Sequence, residues 1–245
     1  LITTLYSVCN YLCIAKYAKK NYPFIDFSEK PDFSAIEGSK DVFIQKITSV
    51  LYSAIPVIAL SFVSSVMASV YAIYNMVFNV VRSVLSVFSQ APRLSFGSLL
   101  SEDNKDINII KEYTFMYEQI VIIITAICTT MAVTMIIPFM RLYVSDIADA
   151  EYINPMYGIL FGVATFISTV HIPSGQIILM SGNFRVSKNI QVVAAVILAI
   201  LIPVLTYFYN ITGALVAIII AAMILAIGEI GYTHYVYFKN DLGRT

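Results

Sequence analysis

The sequence predicts an all-α polytopic membrane protein: a six-helix transmembrane bundle preceded by the end of another transmembrane helix. Three observations predict it. Hydrophobic residues make up 59% of the chain and charged residues only 12%, with a mean hydropathy of +0.81. A globular domain carries about 25% charged residues. The apolar residues gather into runs close to the ~20 residues a helix needs to cross a bilayer core. The basic residues fall almost entirely into alternate connections between those runs.

The first run, 1–15, is short. It opens on Leu1 with neither an initiator Met nor a signal-peptide pattern, so it reads as the end of a helix whose N-terminal half is missing. Residues 16–46 are the sizeable hydrophilic stretch. They mix six Lys with Asp26, Glu29, Asp32, Glu37 and Asp41, punctuated by Pro23, Pro31 and Gly38, the composition of a linker. Six runs follow, at 47–66, 70–92, 117–139, 155–180, 190–209 and 213–236, so that 47–238 forms the bundle and 239–245 a tail. Pro56 marks a kink in the first of them. In the fourth, His171 is followed by Pro173, Gly175 and Gln176, the pattern of a kinked or broken helix that often lines a transport path. Lipid cannot satisfy a bare backbone, so the runs must be helices or barrel strands. They lack the ten-residue alternation of barrel strands.

Lys and Arg orient the bundle. Lys16, Lys19, Lys20, Lys30, Lys40, Lys46, Arg93, Lys105, Lys111, Arg185, Lys188, Lys239 and Arg244 fall on one side, against Arg141 on the other. The expected cytoplasmic side holds 16–46 and the C-terminus. Tyr22, Tyr113, Tyr117, Tyr143, Tyr152 and Tyr207 sit near span ends and read as interfacial anchors, with carbohydrate stacking as the sharper alternative.

Several classes are disfavoured. Zero net charge and a pI of 6.9 give no footprint for nucleic acid. Cys9, Cys13 and Cys128 lie in apolar runs without disulfide or metal spacing and read as buried structural thiols. Apart from Glu229, five residues before His234, neither His171 nor His234 has a Cys, Asp or Glu in ligand spacing, so no metal site is expected. No phosphate loop, dinucleotide fingerprint, zinc-protease motif or nucleophile elbow occurs, so the expectation is not an enzyme and no cofactor. Asn210-Ile211-Thr212 matches a glycosylation sequon, but in a tight turn, where chance explains it.

What remains is a polar stripe. Tyr71, Asn75, Asn79, Arg82, Ser86, Gln90 and Arg93 recur about every 3.7 residues and occupy a sector of about 100° on one helix. If continuous, the stripe spans about 33 Å, enough to line a path across ~30 Å of hydrocarbon. Arg82, mid-span, is a candidate for holding a phosphate or carboxylate in a wet cavity. The alternatives are an Arg paired with a buried Glu, or one snorkelling along its helix. Asn75 and Asn79 line the same path or act as interhelical hydrogen-bond glue. His171 and Gln176 join the path through the broken helix, or are satisfied by a neighbouring helix. Glu118 and Glu229 are candidates for ion coupling or for pairing with Arg82 or Arg93. The bland alternative for Glu118 is an interfacial carboxylate; for Glu229, flanking Gly228 and Gly231 allow burial by close helix approach.

The stretch from Val70 through Tyr74-Asn75 to Asn79, running on to Ser95-Phe96-Gly97-Ser98-Leu99-Leu100-Ser101-Glu102, resembles bacterial polysaccharide flippases of the Wzx type. These belong to the superfamily of multidrug, oligosaccharidyl-lipid and polysaccharide exporters. Ser181-Gly182-Asn183-Phe184-Arg185-Val186-Ser187-Lys188 resembles their cytoplasmic loop after the tenth span. Tyr22-Pro23-Phe24 and Phe43-Ile44-Gln45-Lys46-Ile47 resemble the bundle linker and the start of the seventh span. The resemblance covers about 16–238 and implies the C-terminal half of a twelve-span protein of the bacterial inner membrane. It implies transfer of undecaprenyl-pyrophosphate-linked sugars to the outer leaflet by alternating access. The partners implied are the lipid-linked oligosaccharide, membrane lipids, the N-terminal half and a coupling H+ or Na+. Arg82 would meet the pyrophosphate or acidic sugars. One departure matters: many members carry an Asp-Asn pair in the seventh span, where this chain has Ile55 and Pro56. A multidrug cation antiporter of the same superfamily would put carboxylates deep in the spans, where this chain has a central Arg. A membrane glycosyltransferase or polymerase would show a large external loop; the longest here is about 15 residues.

Overall fold

The computed structural model describes residues 2–21, 38–90, 92–101, 107–145 and 152–239. They form an all-α polytopic membrane protein, with five helices long and apolar enough to cross a membrane. The chain divides into two units, Leu1–Glu37 and Gly38–Thr245.

In the first unit, α1 (Ile2–Asn21) runs six residues past the expected end of its apolar run. Cys9 and Cys13 are exposed on it, and Cys128 in the second unit is half-buried, so the expectation of buried structural thiols fails. Among the described residues, α1 has no second element in its own unit to cover it. Of the expected linker, residues 16–21 belong to α1, residues 39–46 to the next helix, and 22–37 lie outside the described residues.

The second unit contains α2 (Ser39–Val63), α3 (Ser65–Gln90), α4 (Arg93–Ser101), α5 (Ile107–Tyr143), α6 (Pro155–Val170), α7 (Ile172–Met180) and α8 (Phe184–Gly231). A π-helical turn follows at Tyr232–Tyr237. The helices overrun the apolar runs that predicted them. Hydropathy marks where lipid ends, while Lys, Glu and Gln continue a helix into water without penalty.

α2 and α3 are joined through one extended residue, Ser64 (φ −163°, ψ 127°). The two spans expected at 190–209 and 213–236 are two helical arms, labelled together as α8, that turn back on each other at the non-helical Asn210 (φ 54°, ψ −133°). Leu198 and Ile202 on one arm pack with Ala217 and Ala221 on the other. These positions mirror each other about residue 210, the register of an antiparallel hairpin. A Cβ on Gly213 would collide with the Leu205 carbonyl, so the arms close on glycine.

Small residues set the other close approaches. On α6, Gly158 and Gly162 lie one turn apart against α5, and a Cβ on Gly158 would come within 2.6 Å of Ile136 Cγ2. The main core gathers Leu60, Tyr74, Phe78, Ile136, Met140, Phe161 and Leu215 from five helices. A smaller cluster of Phe96, Tyr117, Val121 and Ile177 ties α4, α5 and α7 together.

Candidate functional site

Two polar clusters lie inside this apolar bundle. The first belongs to α3. Its buried face is Tyr71, Tyr74, Phe78, Leu85 and Ser89. Phe161 of α6 packs against three of these rings, at centroid distances of 5.1 Å to Tyr71, 5.9 Å to Tyr74 and 5.4 Å to Phe78. The Tyr74 hydroxyl donates to the Tyr152 carbonyl at 2.9 Å and accepts from the Asn154 N–H at 3.1 Å. Asn154 in turn caps α6 by accepting from the Met156 N–H at 2.9 Å. This wall holds α3 and α6 in fixed register.

Beside the wall opens a cavity of about 440 Å³, lined by Tyr52, Ser53 and Pro56 of α2, by Tyr71, Asn75, Asn79 and Arg82 of α3, and by Phe161 and Ser168 of α6. Arg82 is half-buried at its edge. Its Nη2 donates to Asn75 Oδ1 and Asn79 Oδ1, each at 2.6 Å, its Nε to Asn79 Oδ1 at 3.2 Å, and its Nη1 to Thr165 Oγ1 at 3.3 Å. All three oxygens are neutral. They orient the guanidinium and leave its positive charge unbalanced. Among the described residues none of the ion pairs involves Arg82. The Tyr52 hydroxyl, buried in the same wall, finds no hydrogen-bond partner among the described residues. Sequence reasoning missed Tyr52; its spacing from Arg82 gives no signal, because the two lie on different helices.

The described part of α3 ends at Gln90 and α4 begins at Arg93 after a turn residue, Pro92. Ser86 donates to the Ser83 carbonyl at 2.7 Å, and Gln90 and Arg93 are exposed. None of the three lines the cavity.

Comparisons with known proteins give no match: no family model, no curated protein and no solved structure aligns with this chain.

The second cluster brings together residues that the sequence scatters. His171 forms the junction between α6 and α7 and is 9% exposed. Its Nδ1 lies 2.8 Å from Oε2 of Glu229, which is 3% exposed on α8. Glu118 of α5 accepts from Ser174 Oγ at 2.5 Å and faces Nε2 of His234, in the π-helical turn, at 2.9 Å. The two glutamates are therefore engaged by the two histidines, and not by Arg82 or Arg93 as the sequence allowed. Nor is Glu118 an interfacial carboxylate, its side chain being only 12% exposed. Gly175 makes room for the Glu229 carboxylate: a Cβ there would collide with Oε2. Gly228 packs on Ile190 of the opposite arm, whereas a Cβ on Gly231 meets nothing within 4 Å. Gln176, expected on the path, carries a buried Oε1 without a partner among the described residues and does not line the Arg82 cavity; neither does His171.

Among the tyrosines, Tyr113, Tyr143 and Tyr207 are at least half exposed, as anchors require, but Tyr117 and Tyr152 are 7% and 5% exposed and belong to the core. Tyr117 donates to the Ser89 carbonyl, fastening α5 to α3. Tyr22 lies outside the described residues. Among the described residues no group of three His, Cys, Asp or Glu could hold a metal ion.

Proposed function

We propose that this chain is part of a transporter that moves a polyprenyl-pyrophosphate-linked oligosaccharide from the inner to the outer leaflet of the bacterial cytoplasmic membrane, by alternating access. The observation that carries the reading is Arg82. It holds an uncompensated positive charge at the edge of a cavity of about 440 Å³, oriented by Asn75, Asn79 and Thr165. A charge without a counter-ion inside a membrane bundle is costly and marks a substrate path. Arginine presents its N–H donors in a fork that suits phosphate or carboxylate oxygens. Tyr52 adds a hydroxyl with no hydrogen-bond partner among the described residues. The balance of Lys and Arg supports a cytoplasmic position for the 16–46 stretch and the C-terminus. The multidrug-cation alternative is disfavoured by the same cavity, which offers a cation where an organic cation needs a carboxylate.

The test is surface polysaccharide in a strain that depends on this protein, with membrane abundance checked. Arg82→Ala is expected to abolish surface glycan at normal abundance, Arg82→Lys to restore part of it, and Asn79→Ala to give an intermediate loss. Full activity of Arg82→Ala would overturn the reading.

A further inference from the structure

The histidine–glutamate cluster lies outside the Arg82 cavity and has no part in the reading above. Its geometry is a ladder. On α7, His171 and Ser174 face the same way, one turn apart. The upper rung joins His171 to Glu229 at 2.8 Å. The lower joins Ser174 to Glu118 at 2.5 Å and Glu118 to His234 at 2.9 Å. Thr233 also donates to the Ser174 carbonyl at 3.2 Å. These links are the polar fastenings of α7 to α5, α8 and the π-helical turn.

α7 is also a short helix with a break at each end. At its start the helix is interrupted at His171, and Pro173 cannot donate a backbone bond. At its end Gly182 takes φ 78°, a left-handed conformation that favours glycine. The π-helical turn opposite is a third irregularity at the same level, and such turns cluster at functional sites. A nine-residue helix bounded by His171 and Gly182 is thus held to its neighbours by ionisable pairs.

We propose that the His171–Glu229 pair is a proton-binding site, that the proton on the imidazole locks α7 against α8, and that losing it to water loosens α7 at its His171 hinge. With His171 protonated, imidazolium and carboxylate cancel and the buried pair is neutral. With His171 deprotonated, Glu229 keeps its negative charge at 3% exposure with no opposing charge. An uncompensated buried carboxylate is strongly unfavourable, and separation of α7 from α8 relieves it by admitting water. The neighbouring groups do not supply a substitute cation. On α5, Glu118 is negative and Tyr117 is bonded to the Ser89 carbonyl. On the π-helical turn, His234 faces Glu118, and Tyr237 packs by Phe238. On α3, Arg82 is held by Asn75, Asn79 and Thr165, and Arg93 of α4 is exposed. The lower rung, whose His234 side chain is 25% exposed, is wetter and serves as the second fastening.

Residues 1–245 contain no tryptophan, so the signal that Leu179→Trp adds over the unsubstituted protein reports the end of α7. In lipid nanodiscs, acrylamide quenching of this tryptophan is expected to rise about twofold between about pH 5 and about pH 8. Glu229→Gln removes the charge while keeping hydrogen-bond capacity, and is expected to keep quenching low at every pH. His171→Gln leaves Glu229 a partner that cannot carry a positive charge, and is expected to raise quenching at neutral pH above that of the unmodified protein. Hydrogen exchange of residues 172–180, corrected for the intrinsic effect of pH, reads the same release with Leu179 left in place, so a perturbing tryptophan cannot decide the matter. A rise of equal size in Glu229→Gln, or exchange of 172–180 that does not change with pH in the unmodified protein, overturns the proposal. The readout requires no transport, so loss of export in Arg82→Ala and failure of this latch are separate outcomes.

Discussion

The two polar clusters of this bundle obey opposite rules. Around Arg82 the protein supplies three neutral oxygens and a cavity but no counter-charge. Around Glu229 it supplies a histidine and a glycine-shaped recess but no space. The same medium surrounds both. The difference teaches that, in an apolar bundle, a partnered charge is an element of closure, whereas a held but unbalanced charge awaits something from outside. Substitutions should therefore separate the two sites, one by stability and the other by function.

The largest effect on stability among these substitutions is expected from Gly175→Ala. The new methyl pushes the Glu229 carboxylate out of its recess and away from His171, at about 1–3 kcal/mol. The protein should unfold at a clearly lower temperature in detergent, followed by size-exclusion chromatography after heating. Gly231→Ala, whose Cβ meets nothing within 4 Å, is the matched control and should be nearly silent. A silent Gly175→Ala would erase the contrast.

Arg82→Ala should behave inversely. Its partners are neutral and its cavity open, so stability should change by less than about 1 kcal/mol while surface glycan is lost. A large drop in thermal stability would place Arg82 among the structural charges.

A smaller effect is expected from Tyr52→Phe. Its hydroxyl has no partner among the described residues, so folding should be unaffected or slightly favoured. Binding of inorganic pyrophosphate, read by calorimetry, should weaken by about 1 kcal/mol, roughly fivefold. Unchanged binding would remove Tyr52 from the site.

The smallest effect belongs to Lys188, whose Nζ lies 2.6 Å from Asp41 Oδ1, with side chains 19% and 25% exposed. Lys188→Ala should cost about 1 kcal/mol or less, and less still in high salt. A larger, salt-insensitive loss would show that this pair belongs with the buried ones.

How much of this was legible in the sequence depends on the range of the signal. Hydropathy acts over one helix, so the spans and the fold class could be read directly. The helix ends could not, because nothing in Ile107–Met116 stops a helix, although the expected span began only at 117. Local periodicity likewise put Asn75, Asn79 and Arg82 on one face, and the structure lines one cavity with them. Ser86, Gln90 and Arg93 share the period but lie outside that cavity, because a period gives a face of one helix and not which neighbours stand opposite it. The histidine–glutamate pairing lay beyond local rules: His171 and Glu229 are 58 positions apart, and Glu118 and His234 are 116 apart. The usable hint was Gly175, a residue with no side chain in a span otherwise eager to fill space.

The turn at Asn210 bears on how this protein enters its membrane. The arms of α8 are joined without a loop, and Tyr207, Phe208 and Tyr209 at the crest are 75%, 68% and 63% exposed. No slack chain exists to keep the second arm in water while the first inserts alone. The hairpin is therefore expected to partition as a unit, its small-residue faces packed together and its three exposed rings suited to a headgroup region. An insertion that lengthened this crest would uncouple the two arms during biogenesis, before any folded site had formed.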